Sequence, residues 1–345
     1  MAQAKSLEEN LLDAKRIIRT LYKRENEMER LIESQRSRIA ELERASNARV
    51  EPATWTYRAK QGSSKSAHIA YLLTSDFQLG ERIEPTDTNL IEYNAKVFVR
   101  RYRQLISTAI ELATEHVSRQ WSIEGFVYAR GGDSFSGDIH DELRETNELT
   151  PIEATELCFE QEAAGIRNLA EQFGRVEVKT TGAGGNHDRS TLKFRFKKLS
   201  AHNYDRTVAY MLAREFRADK RISFHTSPGI DVVFPIYNDQ ILLTHGDRMG
   251  SKGGQGYVGP AATILRGAQK IIIEQARAKQ FITRVDHGHH HFAMYVPGVV
   301  LSNGTLAGYS ELAKSGRMTP APAQQWLVFH SAKHGAIDFR PVILP

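Results

Sequence analysis

The sequence predicts an α/β domain that follows a long N-terminal coiled-coil helix. Between about residues 67 and 291, apolar and β-branched runs alternate with helix-forming segments, as they do in α/β folds. From Met294 to Leu344 the chain is richer in short β-like runs. The first 45 residues instead carry a heptad repeat. The chain is therefore predicted to contain a helix over residues 1–45, a linker over residues 46–66 and a globular domain over residues 67–345.

The heptad repeat predicts self-association through the N-terminal helix. Nine of its eleven seam positions are apolar: Leu11, Ile18, Glu25, Ile32 and Ile39 at a, and Leu7, Ala14, Leu21, Met28, Gln35 and Leu42 at d. In this register Arg24 faces Glu29 and Arg38 faces Glu43, which favours a parallel arrangement. Isoleucine at a with leucine at d favours two strands. We expect a homo-oligomer, with a dimer favoured; the alternative is a single amphipathic helix packed on its own globular domain.

Length and composition limit the class of protein. The chain has 345 residues, which at about 150 residues per domain suggests two units. No apolar run approaches the roughly 20 residues that cross a bilayer, and the N-terminus has no apolar stretch of signal-peptide type. Cys158 is the only cysteine, which fits a reducing, cytoplasmic location. The net charge of +5 and the pI of about 9.1 are compatible with a nucleic-acid partner.

The periodicity of the chain predicts its elements in order. Strands are expected at His68–Thr74, Phe126–Ala129, Val176–Gly182, Ile230–Val233, Gln240–Thr244, a run from Val285, Met294–Val296, Val299–Ser302, Trp326–His330 and Ile337–Leu344. Helices are expected at Asn89–His116, Thr150–Gly174, Tyr204–Phe216 and Ala262–Lys279. The second of these helices has the clearest ends, because Thr150 and Glu153 form a capping box, Pro151 occupies N1 and Gly174 stops the helix.

Polar side chains follow five of the predicted strands. They are Asp76 with Gln78, Asp133, Asn186 with His187, His245, and His289 with His291. Because ligands collect at the carboxyl ends of strands in open α/β sheets, we expect these side chains to meet. Oxygen and nitrogen donors without thiolate suit Mn, Fe or Zn at a hydrolytic centre. Any one of them alone has a plain explanation as a turn former or a helix cap, but the order of all five is harder to explain in that way.

That order resembles the calcineurin-like metallophosphoesterase superfamily. The family pattern is Asp-x-His, Gly-Asp, Gly-Asn-His-Asp/Glu, a lone His and Gly-His-x-His. This chain carries Asp76-Phe77-Gln78, Gly132-Asp133, Gly185-Asn186-His187-Asp188, His245 and Gly288-His289-His290-His291. More narrowly, the stretches at 131–140, 244–247 and 302–305 look most like bacteriophage-encoded members, which implies a host cytoplasm. The resemblance implies a β-sandwich of two mixed sheets flanked by helices, as a catalytic domain over residues 67–345.

The resemblance also implies a role for each motif residue. Two divalent ions are expected, with Mn favoured and Fe or Zn as alternatives. One would be held by Asp76, Gln78, Asp133 and His291, and the second by Asp133 as a bridge with Asn186, His245 and His289. His187 would bind the phosphate or protonate the leaving oxygen, and Asp188 would orient His187 through a hydrogen bond. Asn186 would also contact the substrate, and a hydroxide between the metals would attack phosphorus. Independently of the resemblance, Arg189 adds a cation beside the predicted metals that can clamp a phosphate.

One position departs from the family pattern. The family usually has histidine where this chain has Gln78, and an amide oxygen is a harder and weaker donor than imidazole. We therefore predict a looser first site that favours Mn. The alternative is that Gln78 does not bind metal and that the protein is a one-metal or inactive relative.

Two basic segments are candidates for contact with nucleic acid. Arg100, Arg101 and Arg103 lie on a predicted helix, and Lys193–Lys198 interleaves basic residues with Phe194 and Phe196. Cations can follow phosphates while aromatic rings stack on bases. The alternative, which the alternation favours, is an amphipathic run with both phenylalanines in the core.

The combined features predict a metal-dependent phosphodiesterase, or nuclease, that acts on DNA. The alternatives are a phosphatase or small phosphodiester hydrolase, and a non-catalytic module in which the coiled coil carries the function. The loop Gly250–Gly259 could close over a substrate, which would favour the phosphatase. That loop does not match the phosphate-binding loop of nucleotide triphosphatases.

Overall fold

The structure is a computed structural model that describes residues 7–47, 66–88, 91–117, 121–250, 260–315 and 321–345. The chain separates into two units, Met1–Ser63 and Ser64–Pro345. The predicted linker over residues 46–66 lies outside the described residues except at its two ends, and the predicted loop Gly250–Gly259 lies outside them except for Gly250. In the described ranges, no helix combines the length and the apolar character that a membrane span requires.

The first unit contains one long helix, α1 (Leu7–Asn47), so the predicted helical state is confirmed. Its predicted seam is exposed in the single chain. Between 47% and 60% of the surface is accessible in Leu11, Ile18, Leu21, Met28, Ile32 and Ile39. An apolar stripe along a helix is stabilised when another surface buries it. Pairing of α1 with a second copy remains a prediction.

The second unit is built from strands and helices that alternate along the chain. Its described strands are β1 (Ser66–Thr74), β2 (Trp121–Arg130), β3 (Val176–Thr180), β4 (Ile222–Thr226), β5 (Val232–Ile236), β6 (Asp239–Leu243), β7 (Arg284–His287), β8 (Met294–Val296), β9 (Val300–Ser302), β10 (Ala323–Ser331) and β11 (Gly335–Leu344). Its described helices are α2 (Pro85–Thr88), α3 (Ala95–Glu111), α4 (Asp141–Thr146), α5 (Pro151–Phe173), α6 (Tyr204–Glu215), α7 (Ala261–Arg277) and α8 (Glu311–Ser315), with a π-helical turn at Leu112–His116 and a 3₁₀ turn at Leu199–His202.

The strands form two mixed sheets. The six-stranded sheet has the order β11-β10-β1-β2-β3-β4, with β1 to β4 parallel and β10 antiparallel to both of its neighbours. The five-stranded sheet has the order β5-β6-β7-β9-β8, in which β6, β7 and β9 are parallel and the two edge strands are antiparallel. The predicted fold class, an α/β sandwich of two mixed sheets flanked by helices, is confirmed.

The alternation of side chains along β1 shows how the layers are held together. Ala70 and Leu72 point into a core with α3, α5 and α6, whereas Tyr71 and Leu73 point into the core between the two sheets. A third core lies between α7 and the outer face of the second sheet, around Val285. Because both faces of β1 are buried, this strand reads as a continuous apolar run. The layers are therefore helices, sheet, sheet and helix.

Local capping explains where two of the helices begin. The Thr150–Glu153 capping box and the left-handed Gly174 at the end of α5 are both present, as predicted. The predicted helix from Asn89 begins later, at Ala95, because the Asn94 side chain accepts a hydrogen bond from the Val97 backbone N–H at 3.0 Å.

Candidate metal centre

The five predicted strand ends converge at one place. Gln78 follows β1 and donates its backbone N–H to the carbonyl of Asp133, which follows β2, at 3.2 Å. The His187 backbone N–H, after β3, bonds Oδ1 of Asp133 at 2.8 Å. The second sheet joins through His289, after β7, whose backbone N–H bonds Oδ1 of Asp76 at 2.9 Å. The polar residues of both sheets therefore meet at the carboxyl edge of the sandwich.

The side chains of the predicted ligands form one contiguous cluster. Oδ2 of Asp133 lies 3.1 Å from Nε2 of His245 and 3.4 Å from Nε2 of Gln78. Nε2 of His245 also lies 3.2 Å from Oδ1 of Asn186. Donor atoms of Asp133, His245 and His289 all lie within 4.8 Å of one another. Asp133 thus contacts a residue from each of the two predicted ligand sets.

The other predicted set is assembled around Asp76. Its Oδ1 lies 3.3 Å from Nε2 of His291, and the carboxylate is fully buried. The Thr305 hydroxyl donates to the Asp76 carbonyl at 2.9 Å, and Asn303 donates to Oγ of neighbouring Ser75 at 3.0 Å. The 302–305 stretch, singled out in the sequence, therefore supports the strand end that carries Asp76.

Backbone strain is concentrated on the predicted ligands. Among the described residues, eight non-glycine residues have a positive φ, and five of them are predicted ligands: Asp76 (53°), Gln78 (51°), Asp133 (51°), His289 (68°) and His291 (50°). A left-handed non-glycine residue costs on the order of 1–3 kcal/mol and persists where its surroundings impose it. Nothing in the sequence signals this strain. Gln78 shares it, so its backbone is placed in the same way as that of the histidine and aspartate ligands.

Two glycines allow the backbone to approach the carboxylates. A Cβ at Gly185 would lie 1.9 Å from Oδ1 of Asp133, and one at Gly288 would lie 2.1 Å from Oδ2 of Asp76. Neither distance is sterically allowed, so any side chain at either position would displace a carboxylate. The glycines of the Gly-Asn-His-Asp and Gly-His-His-His motifs are therefore required by close packing around the cluster.

The charges of the cluster are coupled: burial lowers the pKa of His245, but Asp133 at 3.1 Å outweighs burial and raises it well above its ordinary value. Burial raises the pKa of Asp133, but His245 and His187 outweigh burial and hold the pKa well below its usual range. Burial and the neighbouring His245 lower the pKa of His289 to about 3. Ionised carboxylate and neutral imidazole are the forms that bind metal. Carboxylate and amide oxygens together with imidazole nitrogens are ligands that divalent transition metals bind in proteins. The residues of the cluster therefore fit such an ion.

His187 borders the cluster and is oriented differently from the prediction. Its Nδ1 lies 2.8 Å from the Ser136 carbonyl, which can only accept, so Nδ1 carries the proton and Nε2 remains available. Asp188 makes no such contact. Its carboxylate accepts backbone N–H groups of Asp133 at 2.8 Å, Phe135 at 3.1 Å and Gly185 at 2.6 Å. The prediction that Asp188 orients His187 is wrong, because the Asp188 carboxylate is bonded to these backbone N–H groups instead.

Arg189, a predicted substrate contact, holds its own loop. Its guanidinium donates to the carbonyls of Asn186 at 3.0 Å, Thr191 at 2.9 Å and Leu192 at 3.2 Å. These bonds shape the segment that follows the cluster. A contact between Arg189 and substrate remains a prediction.

The two basic segments differ from the prediction in their burial: the phenylalanines of one are more exposed than expected, and an arginine of the other is buried. Phe194 and Phe196 are 40% and 84% exposed, so the favoured interpretation that they belong to the core is wrong. The alternation of Lys193–Lys198 mimics a half-buried strand, but the segment pairs with no described strand. Conversely, Arg101 is buried and donates to the carbonyls of Leu306 and Ala307, so it does not face a phosphate backbone.

A buried ion network beneath the cluster was missed by sequence reasoning. Nη2 of Arg130, the last residue of β2, lies 2.8 Å from Glu162 on α5 and 2.7 Å from Asp205 on α6. Asp205 also accepts the hydroxyl hydrogen bond of Ser134, next to Asp133. The one available signal was an arginine at the end of an apolar strand. This network therefore holds the turn that follows β2 in place.

Fold and site together define a two-sheet α/β sandwich with a buried oxygen and nitrogen donor cluster at its converging strand ends. No protein-family model and no curated protein matches the chain. Among solved structures it is similar to a single mutant of Vps29 from Entamoeba histolytica, at 14% identity and a TM-score of 0.29 over 80% of this chain and 99% of that one. It is also similar to wild-type Vps29 complexed with Zn²⁺ from the same organism, at 13% identity and a TM-score of 0.30 over 79% and 98%. A third is Thermus thermophilus sulfate thiohydrolase SoxB in complex with glycerol, at 10% identity and a TM-score of 0.31 over 83% and 58%. At these identities the likeness concerns the fold alone.

Proposed function

We propose that this protein is a divalent-metal-dependent phosphoesterase and, more specifically, a phosphodiesterase that acts on DNA with two metal ions. The observation that carries this proposal is the donor cluster, in which seven side chains from five strand ends meet and five of the residues have left-handed backbone. Only Asp76 and Asp133 contribute negative charge, so two divalent ions would leave the site positive. A positive site favours an anionic phosphate ester.

Each part of the cluster has a proposed role. One ion would be held by Asp76, Gln78, Asp133 and His291, and the other by Asp133, Asn186, His245 and His289. When bound, the ions would neutralise charge on the phosphate and activate a water molecule. His187, whose Nδ1–H is fixed by the Ser136 carbonyl, would act as the imidazolium and donate its Nε2 proton to the leaving oxygen. The hard amide oxygen of Gln78 supports Mn as the preferred ion, with Fe or Zn as alternatives.

A basic groove beside the cluster supports DNA as the substrate. Asn186 and His245 of the cluster line it, with the cations Arg189, Arg195, Lys198 and Arg248 and one carboxylate, Asp247, which lies 3.7 Å from Arg248. The Arg248 guanidinium lies 5.2 Å from the centre of the Phe194 ring. Exposed aromatic rings next to cations suit single-stranded nucleic acid, since rings stack on bases while cations follow phosphates. The narrower likeness to bacteriophage-encoded members, and a place in the host cytoplasm, remain predictions.

The test is hydrolysis with and without added metal. Substrates are bis-p-nitrophenyl phosphate, p-nitrophenyl phosphate and labelled single- and double-stranded DNA, each with Mn, Zn, Mg or a chelator. Asp133→Ala removes the residue shared by both halves of the cluster, and Asp141→Ala, at an exposed position on α4, is the matched control. Calorimetric metal titration of each variant gives a second measurement that does not depend on turnover.

Metal-dependent DNA cleavage that Asp133→Ala loses and Asp141→Ala keeps would support the proposal. Hydrolysis of p-nitrophenyl phosphate alone would favour the phosphatase alternative. Failure to bind any metal, with no hydrolysis, would contradict the enzyme assignment and leave α1 as the carrier of function.

A further inference from the structure

Two grooves of opposite charge flank the donor cluster. The basic groove leaves it on the side of Asn186 and His245. On the other side, a cleft of about 580 Å³ reaches Gln78, His187 and His291. The acidic residues that line this cleft are Glu81, Glu84, Glu142 and Glu311. Because the two grooves carry opposite charge, the two sides of a bound substrate would meet different electrostatic surroundings.

The negative charge of the cleft is not cancelled by its own cation. Arg82 lines the cleft but pairs with Glu84 at 2.6 Å. Glu142 and Glu311 also line the cleft, and neither is the partner of Arg82. We name this feature, formed by the residues above with Ser136 and His140, the acidic cleft.

A buried hydroxyl indicates that the acidic cleft takes a ligand. Ser136 lines it and is only 1% exposed, yet its Oγ has no hydrogen-bond partner among the described residues. A buried polar atom without a partner is uncommon in a folded protein and marks a place where a ligand or water completes the bonding. The carbonyl of the same residue orients His187, so the hydroxyl lies next to the proposed proton donor.

Resting on the proposed function, we infer that the acidic cleft holds the leaving group and selects one that carries no phosphate. The rest of the strand, with its phosphates, lies in the basic groove. The substrate class is therefore the end of a nucleic-acid strand, and the bond cleaved is the last phosphodiester before a terminal nucleoside.

The position of His187 decides which groove holds the leaving group. Hydrolysis joins the oxygen of water to phosphorus and breaks the bond to the leaving oxygen, which takes the Nε2 proton of the His187 imidazolium. One proton of the water restores His187 and the other is released to solvent. Because His187 lines the acidic cleft, the alcohol it protonates is released on that side.

The charges explain the selection. A phosphate on the leaving group would enter a cleft that carries Glu142 and Glu311, where like charges repel. A phosphate on the retained side would meet Arg195 and Lys198 instead, in a groove whose Arg248 pairs with Asp247 at 3.7 Å. One added phosphate should thus change the rate in opposite directions according to the end of the substrate to which it is attached.

The experiment uses the full chain with Mn and three substrates: the thymidine dinucleotide and the same dinucleotide with a phosphate on its 5′ or its 3′ end. Chromatography with mass detection identifies which oxygen leaves and measures cleavage of the diester. We expect kcat/KM to fall about tenfold when the phosphate is on the leaving nucleoside, and to hold or rise when it is on the retained one. The double variant Glu142→Gln/Glu311→Gln should reduce the difference about threefold. The matched control, Glu145→Gln/Glu156→Gln, removes two exposed charges outside the cleft and should keep the full difference.

Equal cleavage of the two phosphorylated dinucleotides would overturn the inference while leaving the phosphodiesterase intact. So would a difference that the double variant leaves unchanged. If neither the dinucleotides nor bis-p-nitrophenyl phosphate is hydrolysed with any metal, the proposed function fails and the inference fails with it.

Discussion

The carboxylate of Asp188 accepts a hydrogen bond from the backbone N–H of Asp133 at 2.8 Å. It thereby fixes the residue that contacts both halves of the donor cluster. The same carboxylate accepts the N–H groups of Phe135 and Gly185, so a single buried side chain joins the turn after β2 to the turn after β3. His187, one residue earlier, instead bonds the Ser136 carbonyl through Nδ1. Adjacent motif residues therefore have different surroundings: Asp188 joins two turns, and His187 bonds the Ser136 carbonyl.

Asp188→Ala is expected to disrupt the cluster. Three buried backbone N–H groups would lose their acceptor, and an unsatisfied buried donor costs about 1–3 kcal/mol. We expect a lower free energy of unfolding in urea and weaker metal binding by calorimetry. A variant that binds metal as tightly as the wild type would show that Asp188 does not support the site.

His187→Ala is expected to give the opposite pattern. Turnover of bis-p-nitrophenyl phosphate should fall by at least about 100-fold, since the proton donor is lost. The metal content after dialysis should stay close to the wild-type value, because the cluster is held by other residues. Loss of the metals in this variant would contradict the role assigned to His187.

Gln78→His is expected to strengthen metal binding. The left-handed backbone at this position is tolerated by histidine, as His289 and His291 already show at φ values of 68° and 50°. An imidazole should bind a transition metal about tenfold more tightly, equivalent to about 1.4 kcal/mol. Titration with Mn and Zn measures the change, and Gln78→Ala should move the affinity in the opposite direction. Unchanged affinity in both variants would mean that residue 78 does not ligate.

Arg130→Met tests the buried network beneath the site. Both partners of Arg130, Glu162 and Asp205, are completely buried, so removing the cation would leave two uncompensated carboxylates. We expect a loss of about 3–5 kcal/mol in the free energy of unfolding. The control is Arg167→Met, at an exposed pair with Glu215 at 3.0 Å, which should change stability by less than about 1 kcal/mol. Equal effects of the two variants would contradict the assignment.

The sequence was informative wherever local patterns and packing agree. β1 is apolar on both faces because both are buried, and α5 begins and ends at residues whose side chains and backbone cap it. Strand β4 (Ile222–Thr226) was missed because it is an edge strand whose residues are mostly exposed, so its apolar alternation is weak.

The residues of the site could be predicted from the sequence, but their backbone conformation and the exposure of their neighbours could not. The motifs follow predicted strands whose carboxyl ends were expected to share one edge, and the family resemblance assigned the individual ligands. The left-handed backbone of Gln78 depends on tertiary contacts that no local pattern records. The exposure of Phe196 likewise depends on whether a strand partner exists, since the same alternation describes a half-buried strand and a free loop.

The pH dependence of stability should reflect a hydrogen bond between the two sheets. Nδ1 of His330 on β10 lies 2.8 Å from Oδ2 of Asp239 on β6. Burial lowers the pKa of His330 below its ordinary value of 6.5, outweighing Asp239, which raises it. The folded state thus favours neutral imidazole, so this contribution is complete above pH 6.5 and is lost as the pH falls below it. The slope can reach about 1.4 kcal/mol per pH unit.

The measurement that isolates this effect is the difference in unfolding free energy between the wild type and His330→Gln, from pH 7 to pH 5 with a chelator present. Glutamine keeps a donor for Asp239 but does not titrate. The variant should lose less stability than the wild type over this range. Parallel curves would show that His330 has the same pKa in the folded and unfolded states.

Removal of residues 1–45 tests the proposed association through α1. Leu11, Ile18, Leu21, Met28, Ile32 and Ile39 present an apolar seam that the single chain leaves exposed. A heptad seam is stabilised when a second helix buries it, and the isoleucine and leucine positions favour two strands. We expect the full chain to sediment as a dimer and the truncated chain as a monomer that still hydrolyses bis-p-nitrophenyl phosphate.

A double variant, Ile18→Lys/Ile32→Lys, should dissociate the full-length dimer without shortening the chain, because a cation at an a position opposes pairing with its copy. An unchanged mass per particle in both would contradict association through α1, whereas dissociation in both with activity retained would place self-association in α1 and catalysis in the α/β sandwich.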